Sequence, residues 1–259
     1  MSAAANDHRA VGVLVKLALG SADEDSRWDA VAALHWRGSR EVFDHALELC
    51  RSARASERAL GADILGQLGI PKRSFPSESF DVLLGMLSDT DLNVLCSTIF
   101  ALQHTDRDRA ATHILPFSDH PHENVRCAVA FGLCGVDGEE AINALLALAK
   151  DSDSDVRNWA TFGLGQQSDA DTPSIREALA ARLEDQDDDV RYEAVIGLAR
   201  RRDGRMIGFL KTMLHDDPDD VFAKEAAARL LGEENSGDVA TGELLGALQR
   251  QQRWGRGEV

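Results

Sequence analysis

One short pattern recurs along this chain at a nearly constant interval, and it limits the fold more than any other feature of the sequence. The clearest copies span residues 155–165 and 189–199, where Asp-Val-Arg is followed by Ala four residues after the Val and by Leu eight residues after it. Val, Ala and Leu at this spacing lie on one face of a helix, and we expect the Asp before the Val, Asp155 or Asp189, to be the helix N-cap. With weaker copies included, the pattern gives seven marker leucines separated by 31 to 37 residues: Leu34, Leu65, Leu102, Leu133, Leu164, Leu198 and Leu231.

A second amphipathic segment precedes each marker helix, and one more helix is predicted after the last marker. The seven preceding segments are residues 11–19, 41–50, 80–87, 109–115, 139–150, 173–183 and 205–214. Thr172 followed by Pro173 is typical of an N-cap and the first helical position, and residues 243–251 are predicted to form the unpaired last helix. Because a helix pair of this length cannot bury both its apolar faces alone, neighbouring pairs must stack. The sequence therefore predicts an all-α fold, an α-solenoid of about seven helix pairs plus a C-terminal capping helix. We expect a single domain over residues 1–259, with one irregular connection at residues 70–80.

Composition supports this fold class. Aromatic residues make up only 5% of the chain and Tyr occurs once, which argues against a β-sandwich. Lys16 interrupts the apolar stretch near the N-terminus, so that stretch is predicted to be neither a signal peptide nor a membrane span. The four Cys residues form no CxxC pair, and a reducing cytoplasm is the expected location.

The two clearest repeats also resemble a known family. The runs Asp-Val-Arg-Asn-Trp-Ala-Thr-Phe-Gly-Leu-Gly at 155–165 and Asp-Val-Arg-Tyr-Glu-Ala-Val-Ile-Gly-Leu-Ala at 189–199 resemble bacterial HEAT repeats of the type also found in phycobilisome lyases. The order of the less regular repeats, including residues 34–38, 64–68 and 200–205, resembles a narrower group, the HEAT-repeat proteins encoded beside Rhs-type polymorphic toxins. This resemblance implies a HEAT solenoid and an immunity protein that binds and sequesters a toxin domain.

Acidic residues are concentrated in the turns before the marker helices. The turns at 23–25, 89–91, 119–123, 151–155, 184–189 and 216–220 contain 27 residues, with 19 of the 44 acids and no Lys or Arg, in a chain of net charge −16. Helix capping accounts for one or two acids per turn. The longest runs exceed that need and are predicted to bind a partner protein with a basic surface: Asp187, Asp188, Asp189, Asp216, Asp217, Asp219 and Asp220. The same acidic charge argues against nucleic acid as a partner.

A second candidate contact surface lies six residues after each marker Val. Phe100, Phe131, Phe162 and Ile196 occupy this position, which is well away from the centre of the Val/Ala/Leu face. They are predicted to form an apolar strip that binds a partner, or alternatively to pack between neighbouring marker helices. The residues beside the strip are Asn158, Trp159, Tyr192 and Glu193. Basic residues also recur once per repeat, and they could hold an anion or pair with Asp of an adjacent repeat: Arg126, Arg157, Arg191 and Lys224.

The sequence favours a binding protein over an enzyme. Deoxyhypusine hydroxylases, which are HEAT-type enzymes, use several His-Glu pairs to hold iron, whereas this chain has one such pair, His122-Glu123. No phosphate-binding loop, nucleophile elbow or catalytic triad spacing is present. We therefore expect no catalytic residues, no metal and no cofactor, with a bilin lyase or lyase-like chaperone as the enzymatic alternative. The partner's identity and the oligomeric state are left open by the sequence.

Overall fold

The computed structural model describes residues 3–232 and 241–255, which form fifteen α-helices and no strand. The first helices of the pairs are α1 (Val11–Gly20), α3 (Arg40–Cys50), α5 (Pro76–Met86), α7 (Arg107–Ile114), α9 (Glu139–Leu148), α11 (Pro173–Arg182) and α13 (Ile207–Asp216). The second helices are α2 (Glu24–Arg37), α4 (Ala55–Gln67), α6 (Leu92–Thr105), α8 (Glu123–Leu133), α10 (Ser154–Phe162), α12 (Asp188–Arg200) and α14 (Val221–Leu231). The last helix is α15 (Thr241–Gly255). Seven helix pairs and a closing helix are thus confirmed.

The chain divides into two compact units, residues 1–133 and residues 134–259. In the first unit the second helices pack in chain order, α2 against α4, α4 against α6 and α6 against α8. In the second unit α10 packs against α12 and α12 against α14, while α15 covers α13 and α14. Within each unit, every marker helix therefore packs against the marker helices next to it in sequence.

The marker leucines form the core of these stacks, as the pattern predicts. Six of the seven are buried with at most 2% of their surface exposed, and Leu231 is half-buried. The Val and Ala of the clearest copies, such as Val156 and Ala160, are also fully buried. Each buried leucine stabilises the fold by roughly 1.5–3 kcal/mol through removal of apolar surface from water.

The N-cap prediction was wrong by two residues. The capping residue is the Asp three positions before the marker Val: Asp153 accepts the Val156 amide at 3.1 Å, and Asp187 accepts the Val190 amide at 3.3 Å. An N-cap side chain accepts hydrogen bonds only from the amides two or three residues after it in the chain. Asp155 and Asp189 instead lie inside the first helical turn, where their charge interacts with the helix dipole.

Arginines in the first turn of two marker helices join successive repeats. Arg157 donates to the backbone carbonyls of Asp151 and Ser152, at 3.0 Å each, and to both carboxylate oxygens of Asp185 in the next repeat, at 2.9 and 2.7 Å. In the first unit, Arg58 makes the same bonds to its own turn and to Asp89, at 2.7 and 2.9 Å. We call this arrangement the turn junction.

The predicted pairing with an adjacent repeat is thus confirmed for Arg157 but does not extend to Arg191 and Lys224. Arg191 pairs with Asp188 and Lys224 with Asp219, both within the same repeat. Like Arg157, Arg126 also donates to carbonyls of the turn before its own helix, those of His120 and Pro121.

The irregular connection falls where it was expected but is shorter. Residues 68–75 link α4 to α5, and Arg73 and Phe75 have positive φ angles of 56° and 52°. Helix α5 begins at Pro76, four residues before the predicted start, because proline is well suited to the first helical position. No helix in the described part of the chain is both long and apolar enough to cross a bilayer.

One local distortion positions the site described next. Helix α10 continues into a wider π-type turn, Gly163–Gln167, closed by the Ser168 amide donating to the Gly163 carbonyl at 3.0 Å. Here α12 approaches very closely, since a Cβ on Gly197 would lie 2.6 Å from the Cα of Gly165. Only glycine permits this contact, which brings the π turn against α12.

Candidate functional site

Three neighbouring marker helices of the second unit enclose a groove of about 370 Å³, which we call the α12 groove. Helix α12 forms its centre with Asp189, Tyr192, Glu193 and Ile196, which share one face at helical spacing. The flanking helices and the π turn contribute Asn158, Gln166, Phe222, Glu225 and Arg229. The structure therefore brings together Asn158, Tyr192, Ile196 and Asp189, which the sequence had singled out separately.

The floor of the α12 groove is polar and incompletely paired. The Oδ1 atom of Asn158 is buried and has no hydrogen-bond partner among the residues that the structure describes. Glu193 accepts one hydrogen bond, from Nε2 of Gln166 at 2.5 Å. Burial raises the pKa of Glu193 above its usual value, the Gln166 bond lowers it, and repulsion from Asp189 adds to the increase.

One wall of the groove is aromatic. The rings of Tyr192 and Phe222 meet edge to face, with centroids 5.5 Å apart, and Phe222 is 57% exposed. The Tyr192 hydroxyl donates to Asp220 at 2.9 Å, which fixes the ring. Sequence reasoning missed Phe222, although an adjacent Val221-Phe222 pair at the start of a marker helix is an apolar signal at a position that is usually polar.

A second, acidic cavity of about 310 Å³ lies on the other side of Tyr192. Its charged lining is Asp188, Arg191, Asp216, Asp217 and Asp220, and its apolar lining is Tyr192, Phe209 and Met213. The Tyr192 ring thus separates an acidic surface from the α12 groove.

The seven aspartates predicted to bind a partner have different structural roles. Asp187 and Asp220 are the N-caps of α12 and α14, and Asp217 accepts the Asp219 amide at 3.0 Å. The side chains of Asp188 and Asp219 are 79% and 95% exposed and pair with Arg191 and Lys224. Asp189 and Asp216 are also exposed.

The predicted apolar strip is half-buried at all four positions. In the first unit, Phe100 and Phe131 meet edge to face at 5.0 Å. In the second unit, Phe162 meets the half-buried ring of Trp159 at 5.7 Å, and Ile196 lies in the α12 groove. Each of these side chains therefore both packs against the protein and presents surface to solvent.

Within residues 3–232 and 241–255, no group of three or more His, Cys, Asp or Glu is positioned to hold a metal ion. The one His-Glu pair, His122 and Glu123, brings Nδ1 and Oε2 to 3.7 Å in the turn before α8.

Comparison with known proteins fits this architecture. A family model described as HEAT repeats matches residues 111–175, 160–232 and 176–254, more than half of the chain. The crystal structure of YibA from Escherichia coli is 26% identical, with 93% of each chain covered and a TM-score of 0.73. No protein among the curated ones matches the sequence.

Two further structures are similar in fold alone. The complex of CpcE and CpcF of phycocyanin lyase from Nostoc sp. PCC7120 is 17% identical, with 96% of this chain and 97% of that one covered and a TM-score of 0.51. The condensin Cnd3–Cnd2 subcomplex of S. pombe is 15% identical, with 96% and 37% covered and a TM-score of 0.60. From the repeat pattern, the helix pairs and the family match together, this chain belongs to the HEAT-repeat proteins.

Proposed function

We propose that this chain is a non-enzymatic protein-binding solenoid whose partner presents a basic surface. The observation that carries the proposal is the juxtaposition at Tyr192, where an aromatic groove adjoins exposed carboxylates. Aromatic anchors beside a charged rim are typical of protein interfaces. Two similar folds, CpcE with CpcF and Cnd3 with Cnd2, occur in complexes with another protein, which supports a binding role.

Four aspartates carry the electrostatic part of this proposal: Asp188, Asp189, Asp216 and Asp219. They are exposed and do not cap a helix. Asp188 and Asp219 also form ion pairs with Arg191 and Lys224, but such exposed pairs are weak, so all four carboxylates are accessible to a partner. A net charge of −16 attracts a basic protein over distances of about a Debye length, roughly 8–10 Å at physiological salt. The apolar contact would come from the α12 groove and from the strip of Phe100, Phe131, Phe162 and Ile196.

In its sharper form, the proposal is an immunity protein that sequesters a toxin domain of the Rhs type. Support comes from the resemblance of the irregular repeats at 34–38, 64–68 and 200–205 to such immunity proteins. A toxin domain that acts on nucleic acid would itself be basic, which suits the acidic turns.

The proposal predicts a salt-dependent partner. The chain is used to capture proteins from its native host, the partner is identified and purified, and association kinetics are measured from low to high salt. Changing the four exposed aspartates to Asn is expected to slow association at least about tenfold at low ionic strength, with the difference lost near about 0.5 M salt. Co-expression with the wild-type chain should neutralise a toxic partner.

Two controls separate charge from stability. Asn caps a helix as well as Asp does, so Asp187→Asn and Asp220→Asn keep the N-caps of α12 and α14. These two variants therefore test the charges of Asp187 and Asp220 without loss of the cap. Four exposed acids outside the turns, changed to Gln, should leave association nearly unchanged: Glu41, Glu48, Glu78 and Glu140. Salt-independent binding would overturn the electrostatic proposal, and covalent transfer of a bilin to a protein by the purified chain would overturn the non-enzymatic one.

A further inference from the structure

The α12 groove offers hydrogen-bond acceptors without matching donors. Within the described part of the chain, the buried Oδ1 of Asn158 has no hydrogen-bond partner, and the Glu193 carboxylate, which can accept about four hydrogen bonds, receives one from a side chain. A buried acceptor left unpaired costs roughly 1–3 kcal/mol. The floor of the groove is therefore complementary to a ligand that donates several hydrogen bonds.

The groove also carries an excess of negative charge. It contains three carboxylates, from Asp189, Glu193 and Glu225, and one cation, Arg229. Arg229 is held by Glu225 at 2.5 Å, and among the described residues no Lys or Arg forms an ion pair with Asp189 or Glu193. The raised pKa of Glu193 reflects a charge buried without a cation beside it. A cationic ligand would relieve this penalty.

The wall of the groove selects the kind of cation. The rings of Tyr192 and Phe222, with Ile196 beside them, give an aromatic and apolar surface next to the polar floor. A guanidinium is planar, weakly hydrated and stacks on aromatic rings, while its fixed fork of five N–H donors suits several separate acceptors. A lysine ammonium is strongly hydrated and acts as a point charge.

We propose that the α12 groove receives one arginine side chain of the partner protein, with the guanidinium against Tyr192 and Phe222 and its N–H groups donating to Asn158 Oδ1 and the Glu193 carboxylate. This inference rests on the proposed protein-binding function and adds the chemistry of the anchoring residue. The neighbouring acidic cavity is a weaker site for an arginine, because Asp220 already caps α14 and accepts the Tyr192 hydroxyl.

The test uses the full chain and two small probes, acetyl-Gly-Arg-Gly-amide and acetyl-Gly-Lys-Gly-amide. Nuclear magnetic resonance spectra are recorded while each peptide is titrated into the labelled protein. The arginine peptide is expected to shift the side-chain amide signal of Asn158 and the backbone signals of residues 189–196 in a saturable way. The lysine peptide should bind at least tenfold more weakly.

Three variants of the groove and one control make the result specific. Asn158→Leu removes the unpaired acceptor with little change in volume, and Glu193→Gln removes the charge while leaving an amide beside Gln166; each should weaken arginine binding at least tenfold. Phe222→Ala, at a 57% exposed position, provides a third variant whose folding is not in question. Glu184→Gln, an exposed acid outside the groove, should bind like wild type.

Equal affinity for the two peptides, or wild-type affinity in Glu193→Gln and Phe222→Ala, would overturn the arginine assignment. The peptide titration needs no partner, so its failure is distinguishable from failure of the proposed function. If the partner binds with the expected salt dependence but is indifferent to Asn158→Leu and Phe222→Ala, the arginine inference alone is wrong.

Discussion

His35 and Asp63, in neighbouring marker helices of the first unit, titrate in opposite directions for the same reason. His35 donates from Nε2 to the backbone carbonyl of Asp63 at 2.8 Å, and its side chain is buried. Burial lowers the pKa of His35 to about 4 and raises the pKa of Asp63 to about 6, although the Ser97 hydroxyl and the Arg27 charge oppose the second shift. The fold therefore favours the neutral form of both groups.

Removing either group should expose the pH dependence of the other. The lowered pKa of His35 contributes stability above pH 6.5, and this contribution is lost as the pH falls to about 4. The raised pKa of Asp63 contributes stability below pH 3.8, and this contribution is lost as the pH rises to about 6. Relative to wild type, Asp63→Asn should gain and His35→Gln should lose stability with rising pH, by about 3 kcal/mol each. Urea unfolding between pH 4 and 7 measures both slopes.

Parallel slopes for Asp63→Asn and His35→Gln would contradict the opposed titration.

Single residues show where sequence reasoning is strong and where it fails. The buried faces of the marker helices were predicted because apolar side chains must repeat at helical spacing. The choice between Asp153 and Asp155 as N-cap depends on which carboxylate reaches the Val156 amide. The two Asp residues flank Ser154, and the sequence alone does not distinguish them. The burial of His35 gave no signal, because a lone His beside a marker leucine is compatible with either face.

Among structural elements, the turn junction is a polar connection between helix pairs that is shielded from solvent. The side chains of Arg157 and Asp185 are only 13% and 4% exposed, and Asp185 also accepts Arg182 and the Asp187 amide at 3.0 and 3.1 Å. Hydrogen bonds between charged groups in such shielded positions are stronger than those in open solvent. The junction therefore fixes one turn against the next.

A double-mutant cycle should measure this connection. Arg157→Ala and Asp185→Ala are each expected to reduce the free energy of unfolding by about 3 kcal/mol, with a coupling energy of about 2 kcal/mol. The exposed pair Arg40 and Asp44, with side chains 62% and 52% exposed, is the control and should couple by less than about 0.5 kcal/mol. Similar coupling in both cycles, measured by chemical denaturation, would show that the junction has no special role.

The helices themselves were largely predictable, while their distortions were not. Apolar periodicity, Asp-rich turns and the Thr172-Pro173 start indicated all fifteen helices of the described chain. The π turn at 163–167 was missed because one wider turn hardly changes the spacing of the apolar residues along the helix. Only the contact between Gly165 and Gly197 explains its position. The earlier start of α5 follows from Pro76, whose preference for the first helical turn outweighs the later onset of the apolar pattern.

At the level of the whole molecule, the apolar strip has members in both units. Phe131 belongs to the first unit and Phe162 to the second, and both side chains are half-buried. Because each unit contributes an aromatic residue to the proposed partner contact, a substitution in either unit should weaken binding. Each of Phe131→Ala and Phe162→Ala is expected to reduce partner affinity at least about tenfold, since aromatic residues dominate interface energies.

The fully buried neighbours Leu133 and Leu164 give the matched comparison. Leu→Ala at these positions should reduce the free energy of unfolding by about 2–5 kcal/mol, and the two Phe→Ala variants by a smaller amount of about 1–2 kcal/mol. Affinity of the folded fraction is measured by titration calorimetry. Losses of stability equal to those of the leucine variants, with unchanged affinity, would assign the strip to the core instead.

The candidate site was only partly visible in the sequence, for a reason that applies to the whole array. Asn158, Tyr192 and Ile196 were identified because they stand in the two most regular repeats. Gln166 reaches the same groove from the π turn after α10, and Phe222 and Arg229 complete it from repeat seven, which departs from the pattern. A surface assembled from three helices is specified by their packing, which a repeat pattern describes only on its buried face. The expectation of a single domain over residues 1–259 stays a prediction.

The turn junction has a consequence for how such a chain can lengthen. Each junction needs an arginine in the first turn of one marker helix and an aspartate in the turn before the next. A repeat such as residues 151–184 begins with Asp151, at the position equivalent to Asp185, and with Arg157. A gene duplication that copies one whole repeat would therefore copy the accepting aspartate of one junction and the donating arginine of the next. The inserted copy would meet compatible partners on both sides, so the array can grow by one unit without compensating changes elsewhere.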